Sequence, residues 1–425
     1  MKYKKYLKYK DSGIEWLGEI PEHWEVRKVK YIFKIGRGRV ISKEELENNG
    51  KYPVFSSQTE NNGILGYINT FDYDYPQLTW TTDGVNAGTI FLRTGKYNCT
   101  NICGTLKPIK KENLNFLKYS LQFASKFYKR PDTNGAKIMN NEMANIIIIY
   151  PPLSEQKAIA SFLDKQVEKI DTLIKKEEEL IKLLEEKKEA LITKAVTKGL
   201  KNTKMKDSGI EWLGEIPEHW EIRKLKYLGE IIIGLTYSPK DIVDENDGIL
   251  VLRASNLKNG KIVFDDNVFV KTEIPQKLFT KKNDILICTR SGSKDLIGKN
   301  ALIDEKSEGL SFGAFLSVFR NTYKNTDIKF IFYVFNSQLL KYNLGRFMTT
   351  TINQLTSGML KDLSIPLPPL QEQKQIAEYL DKKLSQIDKL IEKSNKAMEL
   401  LKEKKESLIT NAVTGKIDVR NSYEA

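Results

Sequence analysis

The chain has 425 residues, enough for two or three folded units that each bury a core. Lys and Arg number 68 against 55 Asp and Glu, so the formal net charge is +13, and 40% of the residues are hydrophobic. This balance excludes a membrane helix bundle and a fully disordered chain. The three cysteines form no CxxC pair, which indicates neither a disulfide framework nor a zinc site, and we expect a cytoplasmic protein that binds no metal.

A sixteen-residue motif occurs twice along the chain. Lys10 to Glu25 reads KDSGIEWLGEIPEHWE, and Lys206 to Glu221 repeats it without a change. A second repeat begins with PPL at Pro151, returns at Pro368, and continues without a gap into EEKKEALITKAVT and KEKKESLITNAVT. The length difference between the halves therefore lies in a variable segment between two fixed frames.

The two repeats divide the chain into four parts. We predict a first variable domain with its motif in residues 1–150, a first long helix in 151–200, a second variable domain with its motif in 201–367, and a second long helix with a C-terminal tail in 368–425. Both variable domains mix strand-like and helix-like stretches, so we expect a mixed α/β fold with an internal pseudo-two-fold repeat.

Periodicity and turn residues predict the elements of the variable domains in chain order. The first domain is predicted to contain strands at Leu78–Trp80 and Thr89–Leu92, a helix at Leu114–Phe127 and a strand at Ile146–Tyr150. The second is predicted to contain strands at Ile249–Arg253 and Lys261–Phe264 around an Asn259-Gly260 hairpin turn, a strand at Asp284–Cys288 and a helix at Ile328–Tyr342.

The segments that follow the two PPL motifs have the heptad pattern of a coiled coil. Seam positions alternate at spacings of three and four, and both copies are polar at the same two layers, Glu177 and Lys188 in the first and Ser394 and Lys405 in the second. The apolar seam residues are Leu163, Val167, Ile170, Ile174, Ile181, Leu184, Leu191, Leu380, Leu384, Ile387, Ile391, Met398, Leu401 and Leu408. Because a long narrow seam needs a partner, we predict that the two helices pair antiparallel and form a spacer of fixed length. The alternative is that each helix packs alone on its own domain.

The net positive charge lies outside these helices. The two long-helix segments carry nine basic against ten acidic and nine basic against eight acidic residues, so the rest of the chain accounts for the whole +13. Such an excess is typical of a polyanion-binding protein, although a chain from a generally basic proteome would show the same balance.

Polar loops after predicted strands are the candidates for contact with nucleic acid. The segments Trp80-Thr81-Thr82-Asp83-Gly84 and Cys288-Thr289-Arg290-Ser291-Gly292 are alike, and their side chains suit base edges or phosphates. The candidate residues are Ser57, Gln58, Asn61, Thr81, Thr82, Asp83, Asn86, Arg253, Ser255, Asn256, Thr289, Arg290, Ser293, Lys299, Thr350 and Asn353. We prefer Arg290 as the reader in the second domain, and ordinary polar turns are the alternative interpretation.

No catalytic set can be assembled from the sequence. The only histidines, His23 and His219, occupy equivalent places in the repeated motif and are interpreted as structural. The nearest approach to a phosphate-binding loop, Gly292 to Asn300, has the wrong spacing and lacks the hydroxyl that binds magnesium.

Three features carry a resemblance to a known family. The GxIPxxW motif at Gly18–Trp24, the PPLxEQ motifs at Pro151–Gln156 and Pro368–Gln373, and the two variable domains together resemble the specificity subunit of type I restriction–modification systems. Within the first variable domain, YPVFSSQTENNG and LTWTTDGVNAGT are also similar to a recurring type of target-recognition domain. The resemblance covers essentially the entire chain.

The resemblance implies two globular α/β target-recognition domains separated by two long antiparallel coiled-coil helices. It implies a non-catalytic subunit in which each domain reads one half of a bipartite, asymmetric DNA sequence. The implied partners are double-stranded DNA, two methyltransferase subunits that dock on the helices and hold S-adenosylmethionine, and two restriction subunits that translocate DNA with ATP and Mg. No cofactor is expected on this chain. A two-headed coiled-coil adaptor that binds proteins and a nuclease built from scattered carboxylates are the alternatives.

Overall fold

The chain divides into two compact units whose boundaries fall inside the long helices. The computed structural model describes residues 3–133, 135–293, 296–347 and 354–420. The first unit comprises Met1–Glu177 with Asn395–Ala425, and the second comprises Glu178–Ser394. The long helices are Leu153–Lys198 and Leu370–Val413, so each unit contains one variable segment and a part of each helix. No helix in the described ranges is long and apolar enough to cross a membrane.

Short strands and a few helices make up the rest of each unit. The strands of the first unit are Tyr9–Asp11, Glu19–Pro21, Glu25–Lys28, Phe33–Arg37, Tyr52–Phe55, Ile64–Ile68, Gln77–Thr81, Asp83–Gly84, Ile90–Arg93, Asn98–Cys99, Cys103–Pro108, Arg130–Asp132, Gly135–Lys137 and Ile147–Tyr150, and its shorter α-helices are Leu114–Ala124 and Asn140–Asn145. The strands of the second unit are Met205–Asp207, Glu215–Pro217, Glu221–Lys224, Gly229–Ile233, Ile242–Val243, Ile249–Leu252, Leu257–Lys258, Lys261–Ile262, Phe269–Val270, Ile285–Cys288, Asn300–Leu302, Ser311–Phe312, Leu316–Asn321 and Ser364–Leu367. Its shorter α-helices are Ile328–Phe335, Gln338–Phe347 and Ser357–Asp362.

Each unit is built on a four-stranded antiparallel sheet with the same strand order. The order in the first unit is Phe33–Arg37, Cys103–Pro108, Gln77–Thr81, Ile90–Arg93. The order in the second unit is Gly229–Ile233, Leu316–Asn321, Ile285–Cys288, Asn300–Leu302. The inner strands Gln77–Thr81 and Ile285–Cys288 are buried along their whole length. The predicted mixed α/β fold with an internal repeat is confirmed.

The repeated motif ties each variable segment to its long helix. In the first unit Glu25–Lys28 pairs antiparallel with Ile147–Tyr150, the strand that leads into the helix. Trp24 is completely buried, and its Nε1 donates a hydrogen bond to Glu155 of the PPLxEQ motif at 3.0 Å. His23 Nε2 lies 2.7 Å from the other carboxylate oxygen of Glu155. The motif is therefore a structural joint in which one glutamate holds the histidine and the tryptophan.

The second unit repeats this joint with one difference. His219 Nε2 lies 2.7 Å from Glu372, the equivalent of Glu155. Trp220 is also completely buried, but among the described residues its Nε1 has no hydrogen-bond partner. Both histidines thus contact a carboxylate at the head of a long helix, as their interpretation as structural residues predicts.

The long helices run antiparallel within the first unit. Lys405 Nζ of the second helix lies 2.6 Å from Asp171 of the first. Arg420, which follows the second helix, lies 3.8 Å from Glu155 at the start of the first helix. Later residues of the second helix therefore lie beside earlier residues of the first, as in an antiparallel pair.

The same relation holds within the second unit. Lys188 Nζ lies 2.6 Å from Asp388, and these two residues are the repeat equivalents of Lys405 and Asp171. A Cβ atom on Gly199, just past the end of the first helix, would lie 3.2 Å from Oε1 of Glu372 at the start of the second. The lysines that interrupt the apolar seam are thus satisfied by aspartates of the facing helix.

The seam predicted from the heptads forms the packed face of the two helices. The seam residues are all buried or half-buried, and Leu163 and Leu380 have no exposed surface. Each helix ends at a glycine in the left-handed region, Gly199 with φ 71° and Gly415 with φ 72°, a conformation that favours glycine. The predicted pair of long coiled-coil helices is confirmed.

Two element predictions for the second variable domain were wrong. Asn259 and Gly260, with φ of 51° and 75°, do form a turn, but the hairpin pairs Leu257–Lys258 with Lys261–Ile262 and not the strand that begins at Ile249. The predicted helix Ile328–Tyr342 is broken after Phe335. The cause is Asn336, whose side chain donates to Phe332 O and to Asn300 Oδ1, both at 2.8 Å, and so competes with the helical backbone.

Candidate nucleic-acid interface

A hairpin loop leaves the inner strand of the central sheet at the same point in both units. The first loop, residues 82–89, follows Thr81, and the second, residues 289–299, follows Cys288. Gly88 N donates to Thr81 O at 2.8 Å, and Gly298 N donates to Cys288 O at 2.8 Å. The two glycines have φ of 80° and 82°. The predicted likeness of the loops is confirmed, but the alignment shifts by one residue, because Thr81 and not Trp80 is the equivalent of Cys288.

A buried threonine anchors the first residue of each loop. Thr82 Oγ1 donates to Ile102 O at 3.0 Å, and Thr289 Oγ1 donates to Phe315 O at 3.1 Å. The backbone is held on the other side as well, since Ile138 N donates to Thr82 O at 2.9 Å. The matching bond in the second unit joins Leu355 N to Thr289 O at 2.7 Å. The next residue of each loop, Asp83 or Arg290, is therefore held at the same place in the fold.

A second loop begins at an equivalent strand end in each unit. The carbonyl of Phe55 accepts a hydrogen bond from Thr100 N at 2.9 Å, and the carbonyl of Leu252 accepts one from Gly313 N at 2.9 Å. The loops that begin with Ser56 and Arg253 are therefore equivalent. These loops contain Ser57, Gln58 and Asn61 in the first unit, and Arg253, Ser255 and Asn256 in the second.

One hydrogen bond joins the two loops of the first unit. Asn86 Nδ2 in the hairpin loop donates to Thr59 Oγ1 in the loop that follows Phe55, at 3.0 Å. Asn86, Gln58 and Asn61 are exposed, Ser57 and Asp83 are half-buried, and the structure thus brings these five candidates onto neighbouring loops. Asn61 adopts φ of 47°, which asparagine tolerates better than most residues.

Arg93 supports the loop that follows Phe55, and sequence reasoning did not find it. Its side chain is 2% exposed, and its guanidinium carbon lies 3.6 Å from the centre of the Phe55 ring and 4.2 Å from that of Phe91. Nη1 donates to Asn62 O at 2.7 Å, and Nε donates to Thr79 Oγ1 at 3.1 Å. Burial lowers the pKa of Arg93 to about 10, so it stays charged at neutral pH. A charged side chain in the core thus fixes the backbone at Asn62.

The second unit exposes its basic side chains in and beside the hairpin loop. Arg290 is exposed, with its guanidinium carbon 5.3 Å from the centre of the Phe315 ring, and Phe315 is itself 56% exposed. Ser293 and Lys299 are exposed in the same loop. Ser255 is exposed in the neighbouring loop. The exposed candidates of this unit are thus Arg290, Ser293 and Lys299 in the hairpin loop and Ser255 in the loop that begins with Arg253.

Five of the candidates hold the loops together internally. Thr81, Thr82, Thr289 and Asn256 are buried, and each bonds its side chain to the main chain. The half-buried Arg253 places Nη2 2.7 Å from Asp266, so its charge is paired. Their burial and partners indicate positioning of the loops, and direct contact with nucleic acid by these five residues has no support in the geometry. Thr350 and Asn353 lie outside the described residues.

The chain is similar to specificity proteins along most of its length. The family described as Type I restriction modification DNA specificity domain matches residues 21–183 and 217–400. The chain is 32% identical over 429 residues to the type I restriction enzyme MjaVIII specificity subunit of Methanocaldococcus jannaschii, which covers 95% of each protein. It is 45% identical over 143 residues to the putative type I specificity subunit S.MpnORF507P of Mycoplasma pneumoniae, over 32% of this chain and 38% of that protein.

A solved structure shares the fold. The chain from a study of complex assembly and conformational transition of the type I R-M system superposes with a TM-score of 0.70 at 15% identity. The superposition covers 94% of this chain and 99% of the other.

Proposed function

Because the chain belongs to the type I restriction–modification DNA specificity family, we propose that each of its two units reads one half of a bipartite, asymmetric DNA sequence. The observation that carries the proposal is that equivalent loops of equivalent sheets present different side chains, with Asp83 in one unit where Arg290 stands in the other. A DNA sequence with two unlike halves requires two recognition domains that share a fold but present different side chains.

Affinity and sequence preference have different sources in this proposal. The excess of positive charge lies outside the long helices, in the variable segments that carry the loops and in the basic segments that precede them. Lysines and arginines there supply salt-dependent attraction to phosphates. A few polar side chains in each pair of loops supply the choice of bases.

The long helices are proposed to hold the unread spacer between the half-sites at a fixed length. They contain 46 and 44 residues, so at about 1.5 Å per residue each is roughly 65–70 Å long. The equivalent ion pairs Lys405–Asp171 and Lys188–Asp388 set the register of helix pairing within each unit. A helix pair with a fixed register is suited to act as a ruler.

The same helices are proposed to dock two methyltransferase subunits. Exposed leucines stand at repeat-equivalent positions of the two helices, Leu173 with Leu390 at 48% and 49% exposed, and Leu183 with Leu400 at 62% and 57% exposed. Apolar side chains exposed on otherwise charged helices favour a protein partner, and their duplication fits two copies of it. S-adenosylmethionine would be held by these partners, and ATP and Mg by two restriction subunits that join them. The chain itself is proposed to bind no cofactor and to catalyse nothing.

Mapping of methylated bases tests the proposed function. The chain would be expressed with the methyltransferase subunit of its own system, and the genomic DNA of the host would be sequenced for modified adenines. We expect a motif of two unlike halves separated by a constant gap. A complex that forms but leaves no motif would overturn the proposal and favour an adaptor that binds proteins.

A further inference from the structure

The two units carry opposite charges at one equivalent position of their hairpin loops, and this predicts which bases they read. We propose that Arg290 reads a guanine in one half-site and that Asp83 reads a cytosine at the matching position of the other. The inference rests on the proposed function, since it assumes that these loops enter the major groove of the two half-sites.

The equivalence of Asp83 and Arg290 follows from the hydrogen bonds on both sides of them. Each residue follows a threonine whose hydroxyl is bonded to the strand that lies next to it, Thr82 to Ile102 O and Thr289 to Phe315 O. Each then faces another segment across a β-bridge, which pairs Asp83 with Lys137 and Arg290 with Gln354. The backbone therefore starts each side chain from the same point and in the same strand environment.

The neighbours of each residue match its charge. Lys137 lies opposite Asp83 in the strand register. Its side chain pairs with a different aspartate, since Lys137 Nζ lies 3.0 Å from Asp132. Because Lys137 is already paired with Asp132, it offsets the repulsion between Asp83 and the DNA phosphates only in part. Arg290 faces the neutral Gln354, so no cation opposes it there. Among the described residues, neither Asp83 nor Arg290 has an ion-pair partner.

The residue that accepts the threonine hydrogen bond also differs between the units. The equivalent of Ile102 is Phe315, since both accept the threonine hydrogen bond. Phe315 places its ring 5.3 Å from the guanidinium carbon of Arg290, and an aromatic face both attracts and orients an arginine. Arg290 therefore has an aromatic ring beside it. The equivalent position in the unit of Asp83 is the aliphatic Ile102, which cannot make a cation–π contact. The exchange thus involves two positions that change together.

Base chemistry then assigns the preferences. Guanine presents two acceptors, O6 and N7, in the major groove, and the two parallel donors of an arginine match them. Cytosine presents an amino group as donor, which a carboxylate accepts. Adenine also presents an amino group, but its neighbouring N7 is an acceptor and repels a carboxylate. Asp83 therefore favours cytosine.

Methylation mapping of single variants tests the assignment. Arg290→Ala is expected to leave one base of one half-site degenerate, at a position where the parent requires guanine, with discrimination there reduced about 5- to 150-fold. Asp83→Ala is expected to do the same to one cytosine of the other half-site. The double variant Asp83→Arg with Ile102→Phe is expected to change that cytosine to guanine. Arg223→Ala, which removes an exposed arginine outside the loops, is the matched control and should leave the motif unchanged.

The outcomes separate the inference from the proposed function. If the parent methylates a bipartite motif and the Arg290 and Asp83 variants methylate the same motif equally well, these residues make no contact with the DNA and the assignment is overturned. If the variants methylate that motif uniformly less, the residues contact phosphates, and the assignment is overturned as well. Degeneracy at bases other than guanine and cytosine would also overturn it. Absence of any motif from the parent would refute the proposed function instead. Methylation at any genomic site shows that a variant has folded and assembled, so loss of folding is recognised separately.

Discussion

Arg93 should be dispensable for folding and indispensable for reading one half-site, which makes Arg93→Met an informative perturbation. Burial holds the Arg93 pKa near 10 against an ordinary value of 12.5, so keeping the charge in the core costs about 3 kcal/mol at neutral pH. Nη2 has no hydrogen-bond partner among the described residues, which belongs to the same cost. The buried charge of Arg93 thus lowers the stability of the fold.

The contacts of Arg93 offset this cost and add to the stability of the fold. Its two hydrogen bonds, to Asn62 O and Thr79 Oγ1, stabilise the fold by about 1.5–3 kcal/mol each because the donor is charged. Stacking on Phe55 and Phe91 adds about 0.5–1 kcal/mol each, part of which methionine retains through its apolar surface. Set against the cost of about 3 kcal/mol, the two hydrogen bonds and the stacking that methionine does not replace imply that Arg93→Met lowers the free energy of unfolding by up to about 4 kcal/mol.

Recognition should respond differently from stability. Without the bond to Asn62, the loop that carries Ser57, Gln58 and Asn61 loses its anchor, so one half-site should become degenerate while the other stays intact. Urea unfolding of the full chain, followed by tryptophan fluorescence, measures stability, and methylation mapping of the complex measures recognition. An unchanged motif, or a loss of stability above about 4 kcal/mol, would refute this account of Arg93.

Arg320→Met is the matched control in the second unit. Arg320 is also largely buried, but its Nη2 lies 2.7 Å from Asp284, whose side chain is 3% exposed. Removing one partner of a buried ion pair leaves a buried carboxylate without its counter-charge, which costs about 3–5 kcal/mol. Arg320→Met should therefore lower the free energy of unfolding more than Arg93→Met does. Equal losses of stability in the two variants would contradict the comparison.

Three further predictions test other parts of the structure. Deleting one heptad from each helix, residues 174–180 and 391–397, removes about 10 Å and should shift the preferred gap by about three base pairs, whereas an unchanged gap would refute the ruler. Lys299→Ala should weaken DNA binding for all sequences alike and reduce the slope of log K against log salt by about 1, and altered base preference would instead make Lys299 a base reader. The hydrogen bond from Arg420 lowers the pKa of Asp418, so the contribution of Asp418 to tail docking should be present above its ordinary pKa and be lost as the pH falls through the lowered value. Asp418→Asn should therefore expose the tail to trypsin at neutral pH, and equal cleavage of variant and parent at neutral pH would contradict this.

The frame of the molecule could be predicted from the sequence because its signals are local or repeated. Spacings of three and four identify a helical seam wherever they occur, and the seam residues of both long helices are buried or half-buried as that pattern requires. The identical motif around Trp24 and Trp220 indicated that the same local structure occurs twice, and each copy does contact the head of a long helix.

The accessible surface of the loops could not be predicted to the same extent. Three of the candidates are polar residues at or near strand ends: Thr82, Thr289 and Asn256. Their sequence context does not reveal that their side chains donate hydrogen bonds to main-chain carbonyls. Arg93 was missed because an arginine in a strand ordinarily lies on the solvent face, and its partners Asn62 and Phe55 are more than thirty residues away in the sequence. Tertiary contacts decide which polar residues are presented and which are buried.

The most direct test of two independent readers on one ruler is a chain with the same variable segment twice. Residues 31–150 would be replaced by a copy of residues 227–367, which keeps the motif, the PPLxEQ joint and both helices in place. Methylation mapping of this chain should return a motif in which both halves are the second half-site of the parent, separated by the parental gap. A complex that forms but methylates an unrelated sequence, or a motif whose gap has changed, would contradict the account.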